Sequence, residues 1–441
     1  MQPRGEDQPI ASPLAESAHA TSIAPITAAP IFGQMVLLAA FFISWNLARP
    51  PSLNLTVSDA AFGLVAVLLL FSNRLKIAVF GRFTAFWLLG VALLIGGLLI
   101  GSAVNGVMLR WFVVGGQYFL ALALVPAVLS SMSERVLQRA ALAYVFGVAL
   151  SQLIGVIVIQ FFTYDELSGV LGPTFLMGNG RLGSLSGEPN SNGAQCVFAM
   201  ILLVHATLAR RLPAFIAIPT GAILFAGMFS SASFTSFMAC GLALAILLIF
   251  TNFNVIAKVV LPIILIGYAY IAAGGPIPEI FLERVAGAFL NMDLAQAGTF
   301  TGRVELVGEA WRMADDNLLV GLGVDRFREV STFGAPVHNF TLLVLNEGGL
   351  FSFIGAISLV FCMVAASFDT LRRHRLNGAL CLAMTTVFVI YTTSIAHMYD
   401  RIWSAPLLLA FALSLSPLIV AIRTYSGPPS YSAPRGAGLS A

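Results

Sequence analysis

The sequence predicts an all-α fold, a polytopic bundle of about twelve membrane spans with a large, partly helical loop between spans nine and ten. Three observations predict it. The 441 residues are 58% hydrophobic and only 10% charged, with a mean hydropathy of +0.91. Soluble domains are about 25% charged, so a soluble fold is excluded. Apolar runs near the length that crosses a bilayer, about 20 residues, recur from residue 31 onward. The ionisable residues, in contrast, crowd into one interval. Between Gly275 and His338 lie nine acids (Glu279, Glu283, Asp293, Glu305, Glu309, Asp315, Asp316, Asp325, Glu329), five arginines (Arg284, Arg303, Arg312, Arg326, Arg328) and the histidine itself. A membrane protein that concentrates so much polar chemistry outside its spans handles something polar there.

Residues 1–30 are rich in Ala, Pro, Ser and Thr and lack the basic start of a secretory signal. They read as a disordered cytoplasmic tail, as do residues 423–441. The membrane domain is 31–422, with spans at 31–48, 57–72, 84–103, 111–130, 140–162, 191–208, 214–229, 234–251, 257–274, 339–367, 377–396 and 403–422. Orientation follows from the basic residues of the short loops. Loops 73–83, 131–139, 209–213, 252–258 and 368–376 carry Arg74, Lys76, Arg82, Arg135, Arg139, Arg210, Arg211, Lys258, Arg372, Arg373 and Arg375. The opposite short loops carry only Arg49, Arg110, Arg181 and Arg401. Both termini are therefore expected in the cytoplasm, and loops 163–190 and 275–338 on the opposite side. Of the 23 basic residues only Lys76 and Lys258 are lysine, a pattern that coding bias explains. The four cysteines all fall in apolar runs, at spacings that suggest neither a disulfide nor a metal site.

Few polar residues interrupt the spans. His205 reads as a packed interface histidine. Glu347, beside Gly348 and Gly349, is one candidate for the intramembrane carboxylates and broken helices that ion-coupled transporters use. Gly97 and Gly101 fit close helix packing.

Loop 163–190 contains Gly178-Asn179-Gly180-Arg181-Leu182-Gly183. This matches G-x-G-x-x-G, but a dinucleotide site needs that pattern inside a βαβ unit, and here it lies between membrane spans. What remains is a glycine-rich turn that presents Arg181, followed by Glu188-Pro189-Asn190 at the mouth of span six. Asn190 or Ser191, with Pro189, is expected to start that helix. For Arg181 alone, a headgroup-boundary role is as good a reading as a binding role.

In the large loop, Thr301 to Asn317 reads as a helix capped by Thr301. At about 100° per residue, Glu305, Glu309 and Arg312 lie about 180–240° from Arg303 and form a solvated, mutually paired stripe. Arg303 instead shares a face with Val307, Ala310 and Trp311. A guanidinium beside an apolar face, with no carboxylate of its own helix to neutralise it, suits a phosphate that it grips bidentately. A salt bridge with another loop acid is the competing reading. His338-Asn339 closes the loop. A histidine titrates near neutrality and takes a proton from a hydroxyl, although at a span end it is more often simply interfacial. The chain contains no Asp-x-Asp, His-Glu-x-x-His or Walker sequence, so neither a metal-bridged sugar nucleotide nor ATP-driven chemistry is supported.

Taken in order, Gly302-Arg303, Trp311, Gly321-x-Gly323, Phe327, His338-Asn339 and Glu347-x-Gly349-Leu350 resemble the shared domain of the O-antigen ligase and polymerase family, bacterial inner-membrane enzymes of surface-polysaccharide assembly. Arg181 with Pro189-Asn190, and the turn Ser230-Ser231-Ala232-Ser233, also resemble that family's pattern. The likeness covers about residues 170–367. One departure is Leu318, where the family has a proline before its Gly-x-Gly.

The resemblance implies inverting, metal-independent glycosyl transfer on the periplasmic face, with no cofactor and no nucleic acid. The donor would be a glycan on undecaprenyl diphosphate. The acceptor would be a sugar hydroxyl of a second lipid-linked glycan or of lipid A–core. By the same resemblance, Arg181 and Arg303 would hold the diphosphate and His338 would be the general base. Glu188 is a candidate for holding an acceptor hydroxyl, and Asn339 is a further candidate substrate-binding residue. The Glu188-Pro189 step inclines the reading toward a polymerase rather than a ligase. The competing class is a transporter or flippase of lipid-linked polysaccharide intermediates.

Overall fold

Among the described residues there are fourteen helices of eight residues or more, and their order follows the apolar runs of the sequence. The computed structural model describes residues 30–49, 55–251, 253–274, 279–283 and 300–425. The tails expected at 1–30 and 423–441 lie almost wholly outside these residues, as do Arg284 and Asp293.

The helices are α1 Pro30–Phe41, α2 Val57–Phe71, α3 Thr84–Asn105, α4 Met108–Ser130, α5 Glu134–Val158, α6 Tyr164–Leu171, α7 Pro189–Leu208, α8 Ala214–Ser231, α9 Phe234–Phe250, α10 Phe253–Ala272, α11 Phe300–Asp316, α12 Phe340–Arg373, α13 Arg375–Thr392 and α14 Arg401–Tyr425. Seven of them (α3, α4, α5, α7, α8, α12 and α13) are long and apolar enough to cross a membrane. Shorter apolar stretches stand in α1, α2, α9, α10 and α14. Each expected span falls on one of these twelve. The first differs most: α1 stops at Phe41, and turns follow through Trp45, whose indole donates to the Gly147 carbonyl at 3.0 Å.

Two irregularities inside helices have local causes. Pro126 has no N–H to offer the carbonyl of Leu122 four residues back. Residues Leu120–Leu124 widen into a π turn, and the freed Leu122 carbonyl accepts from the Trp87 indole at 2.8 Å. In α12, Gly349 has φ 67° and ψ −165°, which breaks the helix. The Gly321-Leu322-Gly323 segment docks there. Leu322 N donates to Asn346 O and Gly323 N to Glu347 O, both at 2.8 Å, and Leu350 N donates to Leu318 O at 2.7 Å. The break is therefore filled by backbone from the large loop. Gly321 has to be glycine, because a Cβ would overlap the Glu347 carbonyl.

Helix α3 lies along α12 through the same small residues that the sequence singles out. A side chain on Gly97 or Gly101 would run into the backbone of Ser352 or Glu347, so the helices approach by backbone contact. At the centre, α7 is buried along most of its length and joined to its neighbours by polar side chains. Tyr144 donates to Gln195 Oε1 at 2.9 Å, Gln195 donates to Ile402 O at 2.8 Å, and Gln152 donates to Asn192 Oδ1 at 2.7 Å. His205, in its last turn, is buried 3.2 Å from Asn377 Oδ1 and is the packed interface histidine expected. All four cysteines are free and buried.

The loops separate into two ends. Arg82–Asp369 (2.7 Å), Arg211–Glu134 (3.3 Å) and Lys76 N to Ser131 Oγ (2.8 Å) tie the basic loops to one another. At the other end, Leu47 N donates to Leu185 O and Leu182 N to Ser230 O, each at 3.0 Å, while Arg110 pairs with Asp325. This second end carries the polar loops and the candidate site.

Candidate functional site

Loop 163–188 is more ordered than its composition suggests. Thr163 and Glu166 form a capping box that starts α6, a helix the sequence reading does not anticipate. A turn through Gly180 (φ 80°) then folds back so that Leu176 bridges Leu182 and Met177 N donates to Arg181 O at 2.9 Å. This hairpin carries Arg181 inward: the residue is 5% exposed. Its Nε donates to the Ser231 carbonyl at 2.9 Å and its Nη2 to Asn190 Oδ1 at 2.8 Å. The Ser231 carbonyl is free to accept because α8 ends there, with Ala232 in the left-handed region at φ 45°.

Asn190 passes the chain of bonds on. Its Nδ2 donates to Glu188 Oε1 at 2.9 Å. Glu188, not Asn190 or Ser191, is the N-cap of α7: Oε2 accepts from Ser191 N at 2.7 Å and Ser191 Oγ at 2.9 Å, with Pro189 at the first helical position. The cap suits this carboxylate because four backbone N–H groups at a helix start lack partners. Fixed in this way, Glu188 lies close enough to Arg303 and His338 for its charge to act on both.

Arg303 stands in the first turns of α11. That helix starts at Phe300, and its buried face is Leu306, Ala310 and Ala314, one helical period apart and packed on the start of α12. Asn346 Nδ2 reinforces the contact by donating to Ala310 O at 3.0 Å. Arg303 shares this buried face, but Trp311 does not: it is 58% exposed. The expected solvated stripe of Glu305, Glu309 and Arg312 is also corrected. Glu309 is covered by residues 331–332, accepting from Ser331 Oγ at 2.6 Å and from Thr332 N and Oγ1 at 2.8 Å. Burial pushes its carboxyl up, but these hydrogen bonds outweigh it and hold the group below the usual range.

His338 immediately precedes the N-cap of α12. Asn339 is that cap: its Oδ1 accepts from Leu342 N at 3.1 Å and Thr341 Oγ1 at 2.8 Å. Its carbonyl oxygen is thus committed to holding the end that presents His338. Burial lowers the imidazole, the Arg303 cation lowers it further, and Glu188 partly opposes both. Both effects favour the neutral ring, the form able to accept a proton. His338 Nδ1 and Arg303 Nε are both buried without a hydrogen-bond partner. Unpaired buried nitrogens of this kind are costly unless something fills them.

The site therefore brings together Arg181, Glu188, Arg303 and His338 from three separate stretches, with Asn339 as a support. A second polar group, which sequence reasoning missed, lies beside it. Asp325 is 5% exposed and holds φ 62°, a left-handed backbone that non-glycine residues seldom adopt. It accepts from Arg110 Nε, and its Oδ1 is 3.9 Å from His397 Nε2. The His397 and Tyr399 rings lie 5.3 Å apart. No motif announces this group, because its members come from loops 72 residues or more apart in sequence. Among the described residues, no three His, Cys, Asp or Glu side chains converge as metal ligands.

No family model matches the chain, and no curated protein matches it.

Proposed function

We propose that this chain is a multi-pass bacterial inner-membrane glycosyltransferase that moves an undecaprenyl-diphosphate-linked glycan onto a sugar hydroxyl, in O-antigen or exopolysaccharide assembly. In this reading twelve helices span the membrane, both termini are cytoplasmic and the site faces the periplasm. One observation carries the reading: Arg303 and His338, a cation and a neutral imidazole, meet at Glu188 with a buried nitrogen of each left unpaired.

The chemistry follows from those two groups. His338 takes the proton of the acceptor hydroxyl as its oxygen forms a bond to the anomeric carbon of the donor. The bond from that carbon to the diphosphate oxygen breaks, and the lipid diphosphate leaves with the electron pair. Arg303 stabilises the developing charge, as a cation set in advance beside a leaving group does. Arg181, held by Ser231 and Asn190, extends the same positive edge. Guanidiniums can serve this role without a metal ion. The Glu188-Pro189 step favours a polymerase over a ligase that uses lipid A–core.

The break in α12 favours a second reading, a transporter, since broken helices beside a buried carboxylate form ion sites in such proteins. Against it, the carbonyls of Asn346 and Glu347 are already occupied by the amides of Leu322 and Gly323.

The test is glycan transfer in reconstituted vesicles given a lipid-diphosphate-linked oligosaccharide and a candidate acceptor, with chelator present. Wild type is expected to form product, and Arg303→Ala and His338→Ala to lose about 10²–10⁴-fold in rate. The acceptor consumed tells polymerase from ligase. Equal activity in both variants overturns the site. Movement of the lipid-linked glycan across the bilayer without product replaces the enzyme with the transporter.

A further inference from the structure

We propose that Asp325, His397 and Tyr399, anchored by Arg110, form a sugar-binding subsite for the acceptor glycan, near His338. The assignment to the acceptor rests on the glycosyltransferase reading above; the sugar-binding chemistry does not.

The backbone is the first argument. Aspartate is one of the few non-glycine residues that accept a left-handed conformation, and Asp325 uses it, buried at φ 62°, to fix the direction of its carboxylate. Here Gly323 (φ 93°) sets the turn, and Arg326 N closes it on the Gly323 carbonyl at 3.2 Å. The turn aims the Asp325 carboxylate at Arg110, from the start of α4, and at His397, from the loop before α14.

The second argument is the type of group presented. Sugar hydroxyls pair with charged acceptors and donors, and the C–H face of the ring rests on aromatic side chains. Asp325 has one oxygen on Arg110 and the other 3.9 Å from His397, beyond a good hydrogen bond. A hydroxyl beside the pair can donate to Asp325 Oδ1 and accept from His397 Nε2, bridging them from the side. His397 keeps 27% of its side chain exposed and lies against the Tyr399 ring, so the group opens to solvent through an imidazole and a phenol.

The third argument is position. An aromatic series runs from Tyr399 to Tyr118 (6.0 Å) and from Tyr118 to Phe340 (6.4 Å), two residues beyond His338. His397 lies close enough to feel the charge of His338, whereas His338 feels Arg303 and Glu188. His338 is therefore near both groups, Arg303 and Glu188 on one hand and His397 on the other, with the aromatic series leading from Tyr399 to Phe340 beside it. With the diphosphate at the arginines, the second group is left to the glycan whose hydroxyl His338 deprotonates.

The experiment measures binding of free repeat-unit oligosaccharides, released from the host's lipid-linked pool and stripped of lipid and diphosphate, to the full-length protein in detergent. Wild type, Asp325→Asn, His397→Gln and Tyr399→Phe are compared, with transfer assayed in parallel. Asparagine tolerates the left-handed backbone, so Asp325→Asn removes charge without refolding the turn. The two ring variants, at partly exposed positions, carry the test should it fail to fold. Asp325→Asn is expected to weaken oligosaccharide binding about tenfold, the loss of one charge-assisted hydrogen bond, and the two ring variants about threefold to tenfold, the loss of a neutral one; each is expected to raise the acceptor KM with the donor KM unchanged. Wild-type binding that all three variants retain overturns the subsite, as does wild type that binds no oligosaccharide. Binding lost in the variants, from a wild type that transfers nothing, leaves the sugar subsite standing and removes only the glycosyltransferase reading.

Discussion

His338 sits in the field of Arg303, and each keeps one buried nitrogen, Nδ1 and Nε respectively, without a partner. A cation beside an imidazole is unfavourable for a protonated ring, so the pair fixes the histidine as an acceptor of protons. The expected pH behaviour follows directly.

In the proposed transferase, transfer would require neutral His338, whose pKa burial and the Arg303 cation hold below the ordinary 6.5. Activity is therefore lost as pH falls through that depressed value and is full above it. Glu188→Gln removes the charge that raises the imidazole, so the acid limb of kcat/KM moves to still lower pH. Arg303→Gln moves the limb of the residual activity upward. An unmoved limb in both variants would detach His338 from the titration.

Arg181 acts through geometry as much as charge. Asn190→Ala leaves Nη2 without its partner and cuts the link to Glu188. A misplaced charge at a reacting centre costs about 100-fold, so transfer is expected to fall about 10–100-fold, with a loss of about 1–3 kcal/mol in stability from the hydrogen bond removed at a buried guanidinium. Arg181→Lys is expected not to rescue function, because an ammonium cannot reach Ser231 O and Asn190 Oδ1 as a planar fork does.

Gly321→Ala is expected to destabilise the protein by more than about 2 kcal/mol, since the new methyl overlaps backbone at the α12 break and neither strand can yield. Gly308→Ala is the control. It meets open space within α11 and is expected to be stabilising by about 0.5–1 kcal/mol. Thermal unfolding in detergent separates the two; equal transitions would mean that the Gly321 segment does not dock as described.

Arg401 Nη1 bonds Asp59 Oδ2 at 2.8 Å with both side chains buried, joining α14 to the capped start of α2. Removing one partner, as in Asp59→Ala, is expected to cost about 3–5 kcal/mol by stranding a buried charge. The double change Asp59→Ala with Arg401→Met is expected to recover much of it, measured by the same unfolding transition.

The sequence by itself determined the helical membrane architecture, because apolar runs of bilayer length admit few other structures. It also singled out Arg181, Glu188, Arg303 and His338, since an ionisable residue at a loop in so apolar a chain stands out. Its errors were of one kind. Glu309 read as solvated because helical periodicity ranks faces within one helix, and residues 331–332, which cover it, belong to another segment. The cap of α7 fell to Glu188 rather than to Asn190 or Ser191, because the unpaired backbone amides take a carboxylate that a different turn places over them. Asp325, His397, Tyr399 and Arg110 carried no pattern at all. Their meeting depends on where α4, α12 and α14 end relative to one another, and on a left-handed turn at Gly323. Those are properties of packing between distant segments, which only the tertiary structure decides.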